Sequence, residues 1–273
     1  ADMAATSMHK LGGSLTQSSI LNIQGPRINP NRVQAILSML TTTSTSYLLL
    51  ASLDTARRYL ATQGHRLLSE TLALAEEARR RIARIPGLYC IGPEILGSEA
   101  TYAMDLTKLP ICVKDLGITG YEAEVWLREH YNIEVELSDL YNILCILTPG
   151  DTKETVDLLI RALEHLSRDY RHQLNACPIH VQLPPIPVLA ATPREAFYAE
   201  TETVPLRESV GRIIAEFIMV YPPGVPILLP GEIIEQESVD YIQRNIEAGL
   251  PVKGPEDPSL NTVKVIKKYR PIA

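Results

Sequence analysis

The sequence carries no surplus of basic residues: 26 Lys and Arg stand against 32 Asp and Glu, a net charge of -6 over 273 residues. The positive field that nucleic-acid partners require is therefore missing, and no nucleic-acid partner is expected. No apolar run approaches the roughly 18 residues that suggest a bilayer span, so no membrane span is expected either. Cysteine is sparse. Cys90, Cys112, Cys145 and Cys177 are far apart, mostly inside apolar runs, and form no C-x-x-C pair. They read as reduced core residues of a cytoplasmic protein. The six histidines make no H-E-x-x-H pattern, and no metal site is expected. Ala1-Asp2-Met3-Ala4 lacks the basic and apolar regions of a signal peptide. What is present is 45% hydrophobic and 21% charged residues, ordinary globular composition, enough for two or three compact units.

Candidate chemistry gathers at Ser7-Met8-His9-Lys10-Leu11-Gly12-Gly13-Ser14-Leu15-Thr16-Gln17. A lysine amine has an unperturbed pKa of about 10.4, so it becomes a nucleophile near neutrality only where burial or a neighbouring cation acts on it. Lys10 has His9 and Ser7 beside it, an apolar run after it, and two glycines that let backbone approach a bulky ligand. Taken alone, a His-Lys pair is more often a solvated dipeptide and Gly-Gly a turn.

Along the chain, residues 15–24 read as a strand closed by Gly25-Pro26. Asn29-Pro30-Asn31 opens a helix with Val33, Ile36, Leu37 and Leu40 at helical spacing. The hydroxyl run Thr41 to Ser46 suits a polar loop and helix cap. A long amphipathic helix follows, with Leu68, Leu72, Ala75, Ala78, Ile82 and Ile85 on its inner stripe and Glu76, Glu77, Arg79, Arg80 and Arg81 as a solvated face, ended by Pro86-Gly87. Strands are expected at Thr101–Asp105, Leu109–Val113, Asn132–Leu137 and Tyr141–Leu147. Thr119-Gly120-Tyr121-Glu122 is a capping box for a helix through His130, and a further helix starts near Asp151 with Val156, Leu159, Ile160, Leu163 and Leu166 inward. Residues 173–193, with five prolines, read as a linker. A helix is expected over Leu206–Phe217. Tyr221-Pro222-Pro223-Gly224-Val225-Pro226-Ile227-Leu228-Leu229-Pro230-Gly231-Glu232 follows as a rigid path that a central strand would not tolerate. A helix from Ser238 to Gly249 and a strand at Thr262–Ile266 complete the pattern. Glu232, after Pro-Gly, is either an exposed loop residue or a carboxylate fixed in a site by the rigid backbone around it.

The Ser-x-His-Lys string with Ser14-Leu15-Thr16-Gln17-Ser18-Ser19, the Thr41–Ser46 run, Ile133-Glu134-Val135-Glu136, Tyr141-Asn142-Ile143-Leu144, Thr192–Tyr198 and the Tyr221–Glu232 segment occur in the order found in one family. The chain resembles the fold-type-I, pyridoxal-phosphate-dependent ornithine/lysine/arginine decarboxylases over nearly its whole length. The resemblance implies an α/β fold: the end of an aspartate aminotransferase-like large domain (1–86), a small α/β domain (87–185) and a carboxyl-terminal α+β domain (186–273). Because the lysine motif lies far from the amino terminus in that family, the chain is expected to be the carboxyl-terminal part of a longer polypeptide. The remainder would supply the phosphate-binding loop, the ring that stacks on the cofactor and the aspartate that pairs with the pyridine nitrogen.

The resemblance further implies that Lys10 holds pyridoxal 5'-phosphate as a Schiff base, that Ser7 and His9 contact it, and that Thr42 reaches the partner subunit's cofactor in a homodimer or higher homo-oligomer. It gives Glu232 a substrate-facing role. The implied activity is decarboxylation of a small basic amino acid, most like arginine to agmatine in the compact bacterial enzymes of polyamine biosynthesis. Lysine and ornithine remain open as substrates. A different fold-type-I activity, or a non-catalytic regulatory role for a chain that lacks half of a cofactor site, are the rivals.

Overall fold

A computed structural model describes residues 1–170, 184–220, 225–247 and 252–267. At its start, β1 (Met3–Thr6) and β2 (Ile20–Ile23) pair antiparallel, Met3 opposite Ile23 and Thr6 opposite Ile20, with the one-turn helix α1 (Met8–Leu11) between them. The strand expected over 15–24 is thus confined to its last residues. Thr16 and Gln17 lie in a turn, and Gln17 sits at φ 73, outside any strand conformation.

Helix α2 (Pro30–Leu40) opens as its sequence dictates, the Asn29 side chain accepting from the N–H groups of Asn31 and Arg32 with Pro30 in the first turn. It buries none of its residues, and Leu40 is 79% exposed. Ser46 caps α3 (Tyr47–Ile82), which runs 36 residues and continues from its exposed start into the next core. Its buried stripe is Ala56, Gly64, Leu67, Thr71, Ala75, Ala78 and Ile82. Leu68 and Leu72, expected on that stripe, are exposed: they flank the line of mostly smaller side chains along which α3 packs.

The four-stranded sheet comprises β3 (Tyr89–Cys90), β4 (Lys108–Cys112), β5 (Leu137–Ser138) and β6 (Asn142–Ile146), all antiparallel in the order β3-β4-β6-β5. Period-two alternation puts Cys90, Leu109, Ile111, Ile143 and Cys145 on its core face. The end of α3, α4 (Gly120–Tyr131) and α5 (Lys153–Asp169) contribute Ile82, Ala123, Leu127, Val156, Ile160, Leu163 and Leu166 to the same core. Pro110 sits in a central strand. Its carbonyl accepts from Ile91 N–H on the β3 side, so the N–H that proline lacks also faces that side, where β3 is only two residues long.

Two expected strands are corrected here. Thr101–Asp105 makes only an isolated bridge from Thr101 to Ser98, and Asp105 instead accepts from Thr107 to turn the chain into β4. Asn132 caps α4 in the left-handed conformation, φ 53, leaving only Leu137 and Ser138 to pair. Arg79 is also not part of a solvated face, since its guanidinium is half-buried and bonded to backbone carbonyls. Cys90 and Cys145 are buried free thiols, and burial pushes Cys145 up to about 12. Cys177 lies outside the described residues.

The last part begins with α6 (Pro193–Tyr198), opened by a capping box between Thr192 and Glu195. β7 (Thr201–Pro205) pairs antiparallel with β11 (Thr262–Ile266). A second sheet has the order β10-β8-β9, from β8 (Ile218–Val220), β9 (Val225–Leu228) and β10 (Val252–Lys253). Pro226 falls on the edge strand β9, where a missing donor is tolerated; Tyr221–Gly224 lie outside the described residues. Helix α7 (Gln236–Glu247) starts two residues before Ser238 and buries Val239 and Ile242 against Leu206, Ile214, Ile218, Leu228 and Val265.

The helix expected over Leu206–Phe217 does not form. A single 3-10 turn, Leu206–Glu208, ends at Ser209, whose hydroxyl returns to Leu206 O, and Gly211 adopts φ 79. Ile213 and Ile214 then bridge to Ile233 and Val265. The left-handed Gly211 interrupts the expected helix, and the bridges of Ile213 and Ile214 take its place.

Candidate functional site

Ser7, His9 and Lys10 stand together because β1 delivers the chain straight into α1. Ser7 is the residue before the helix, yet its hydroxyl makes no capping bond, and both Ser7 and Lys10 are exposed. Lys10 Nζ has no ion pair among the described residues. The burial expected around a nucleophilic lysine is thus not supplied by the apolar run that follows it, which pairs with β1 and leaves Lys10 exposed. Gly12 is required by packing: a Cβ there would collide with the side chain and carbonyl of Met8. Gly13, at φ 87, turns the chain out of α1.

His9 is half-buried and tied to the loop that follows. Its Nδ1 donates to Ser18 O at 2.8 Å. Ser18 is buried, and its hydroxyl bonds to Leu15 O at 2.5 Å and to Ser14 Oγ at 2.6 Å. Leu15 N–H in turn donates to Ser52 Oγ at 3.2 Å, fastening this loop to α3. None of these partners was picked out from the sequence. The available signal was the density of hydroxyls at Ser14, Thr16, Ser18 and Ser19 immediately after the lysine.

Thr41 to Ser46 form the loop between α2 and α3. The cap interpretation holds at both ends: Thr41 Oγ1 donates to Leu37 O at 2.6 Å, and Ser46 Oγ accepts from Leu49 N–H at 3.4 Å. Thr42 is exposed and accepts from Ser44 N–H at 3.2 Å. The loop is flanked by Leu40, Tyr47 and Leu48, which are 79%, 83% and 72% exposed.

Glu232 is not an exposed loop residue; it is 7% exposed. Leu229-Pro230-Gly231-Glu232 is a tight turn in which Leu229 O accepts from Glu232 N–H at 3.1 Å, and Gly231 at φ 99 takes the position that demands glycine. The Glu232 carboxylate closes the turn from the other side, Oε2 accepting from Leu229 N–H at 2.7 Å. Neighbouring backbone stitches it in place: Gly231 N–H to Ile214 O, and Ala190 and Ala191 N–H to Gly231 O. No hydrogen bond or ion pair joins Thr42 or Glu232 to Ser7, His9 or Lys10 among the described residues. No metal-holding group of His, Cys, Asp or Glu occurs among the described residues either, and no helix there is long and apolar enough to cross a membrane.

Comparison with known proteins gives two family matches, "Orn/Lys/Arg decarboxylase, major domain" over residues 2–155 and "Orn/Lys/Arg decarboxylase, C-terminal domain" over residues 180–251. An arginine decarboxylase of Halalkalibacterium halodurans is 63% identical over all of this chain and 56% of its own length. One from Bacillus subtilis is 60% identical over the same shares. The chain therefore spans about half the length of these relatives. Among solved structures, the lysine decarboxylase of Francisella novicida matches with TM-score 0.81 at 24% identity, and the constitutive enzyme of Escherichia coli with 0.78 at 22%; each comparison covers 97% of this chain and 49% of the other. At that identity the two structures speak for the α/β fold alone. With a family match across more than half of its residues, the chain belongs to the Orn/Lys/Arg decarboxylase family.

Proposed function

We propose that the intact protein decarboxylates arginine to agmatine with pyridoxal 5'-phosphate. The observation that carries this reading is the 60–63% identity, over the whole chain, to proteins named arginine decarboxylases, against 28% to an inducible lysine decarboxylase. The donor set fits the cofactor: an exposed amine with no ion pair among the described residues, a hydroxyl with no capping bond and a half-buried imidazole lie within four residues. Lys10 would hold the cofactor, Ser7 would donate to its phosphate, and His9 would sit near the phosphate and the Schiff base. When bound, pyridoxal phosphate supplies an electron sink for a bond breaking at the substrate's Cα. The Cα–carboxylate bond breaks, carbon dioxide leaves, and Lys10 or a neighbouring acid returns one proton to Cα. Glu232 would recognise the guanidinium.

The active unit in this reading is a homodimer, with Thr42 completing the partner's phosphate site. The exposed Leu40, Tyr47 and Leu48 around that loop support a protein partner there. The domain limits 1–86, 87–185 and 186–273 are proposed with it. Separate cores, one around Ile111 and Leu163 and one around Ile214 and Ile242, support the later division, while Ala75 to Ile85 of the first unit pack into the second.

Product analysis of the intact protein with arginine, lysine and ornithine tests the function, and agmatine from arginine is the expected outcome. Cadaverine or putrescine as the sole product reassigns the substrate; no product and no cofactor absorbance points to a non-catalytic protein. Borohydride reduction with peptide mapping is expected to label Lys10, and a label on Lys108 or Lys114 removes the basis of the site.

A further inference from the structure

We infer that Ser18 is a positioning residue for His9, fixing which nitrogen of its ring is available to the site; the inference rests on the reading of His9 and Lys10 as that site. A carbonyl oxygen can only accept. The 2.8 Å contact between His9 Nδ1 and Ser18 O therefore places the proton on Nδ1 and leaves Nε2, on the opposite side of the ring, as the acceptor of the neutral imidazole. Nε2 has no hydrogen-bond partner among the described residues, so the constraint acts from one side only.

The direction of the Ser18 carbonyl is itself over-determined. The Ser18 hydroxyl has one proton and gives it to Leu15 O, so the 2.6 Å contact with Ser14 must be a donation from Ser14 to Ser18. In a residue only 3% exposed, the carbonyl is thereby bonded to His9 and the hydroxyl to both Leu15 and Ser14. Gln17, just before it, holds φ 73, a conformation that costs a residue with a side chain free energy and persists where surrounding bonds enforce it. The Leu15 bond to Ser52 fixes the turn to a long helix. A bare turn would not need a strained glutamine, a buried serine and an anchor to α3; a carbonyl that has to stay aimed at one imidazole nitrogen does.

Ring-nitrogen NMR of the intact protein labelled with 15N-histidine tests this, with the His9 signals assigned by their loss in His9→Asn. The expected result at mildly alkaline pH is a single form with Nδ1 protonated and Nε2 bare. In Ser18→Ala, which keeps the carbonyl but frees its loop, the two nitrogens should shift toward each other as the tautomers mix, and Ser18→Thr should restore the single form. Ser14→Ala provides a second variant that leaves Ser18 untouched, and should mix the tautomers in the same direction. A wild-type His9 protonated on Nε2, or Ser18→Ala and Ser14→Ala spectra identical to wild type, overturns the proposal while Lys10 can still take the borohydride label. A label elsewhere than Lys10 overturns it by removing the site, whatever the tautomer.

Discussion

The guanidinium of Arg79 donates to the backbone carbonyl of Lys108 at 2.7 Å, bridging the end of helix α3 to the central strand β4. The same group reaches Ile91 O at 3.3 Å and Leu106 O at 3.4 Å, so one side chain donates to three carbonyls, one in β4 and two on segments beside the sheet. Among the described residues its neighbour Arg80 pairs only with Glu76, one turn away and in solvent. Arg79→Met, which keeps the aliphatic stem, is expected to lower unfolding free energy by roughly 1–3 kcal/mol, because half-buried carbonyls lose charged donors. Arg80→Met should cost less than about 0.5 kcal/mol. Urea unfolding of the two variants checks the contrast, and equal losses would mean that the bonds to Ile91, Leu106 and Lys108 contribute nothing net.

Arg79 also shows where the sequence stops being informative. The elements whose signals are local came through: the capping box at Thr119 and Glu122, the alternating strand around Leu109 and Ile111, and the inward residues of α5. The string that carries Ser7, His9 and Lys10 was singled out for the same reason, the three lying within four positions. What was missed depends on partners far along the chain. Arg79 sits in a run of five charged residues among six, and nothing local separates it from Arg80; its acceptors lie 12 to 29 residues away. The strand Met3–Thr6 exists because Ile20–Ile23 pairs with it, and the bond from His9 to Ser18 spans a turn in which Gln17 adopts a conformation that propensity disfavours. Leu206–Phe217 failed in the opposite direction, the expected helix being interrupted at the left-handed Gly211 and replaced by bridges from Ile213 and Ile214 to Ile233 and Val265.

Asp257 gives the fold an acid-range dependence. Its carboxylate accepts from the hydroxyl and N–H of Ser259 and from those of Thr262, and these bonds, led by the Ser259 hydroxyl, hold its pKa down to about 2 from an ordinary 3.8. A folded-state pKa below the unfolded value means the contribution is complete above the ordinary value and disappears as pH falls through the folded one. Asp257→Asn should therefore be less stable than wild type at neutral pH, with the gap closing between about pH 4 and pH 2. Denaturation curves at several acid pH values check this; a gap independent of pH contradicts it.

Thr42 is exposed on a loop flanked by exposed Leu40, Tyr47 and Leu48, so its removal should leave the fold of its own subunit almost untouched. If it completes the neighbour's phosphate site, Thr42→Ala weakens cofactor retention on dialysis, followed by absorbance, with little change in melting temperature. The same reading requires activity to fall on dilution as the dimer dissociates. A fully active monomer in sedimentation at high dilution contradicts both.

If Glu232 recognises the substrate as proposed, it has two tasks to separate, because the carboxylate already closes the Leu229 turn. Decarboxylation needs no base to remove a proton, since the leaving group is carbon dioxide, so a buried acid is better employed on the long cationic side chain of the substrate. A charge-assisted bond of that kind contributes roughly 1.5–3 kcal/mol, or about one to two decades in catalytic efficiency. Glu232→Gln preserves the shape and, through its amide oxygen, the acceptor for Leu229 N–H, but loses the charge. It should therefore fold like wild type and lose efficiency mainly through a raised KM, if the contact is equally strong in ground and transition states. Glu232→Ala loses the turn as well and should also lower the melting temperature. Should kcat collapse in Glu232→Gln while substrate still binds, Glu232 handles the proton returned to Cα. An unchanged kcat/KM in Glu232→Gln, together with a destabilised Glu232→Ala, would leave the carboxylate with the turn alone.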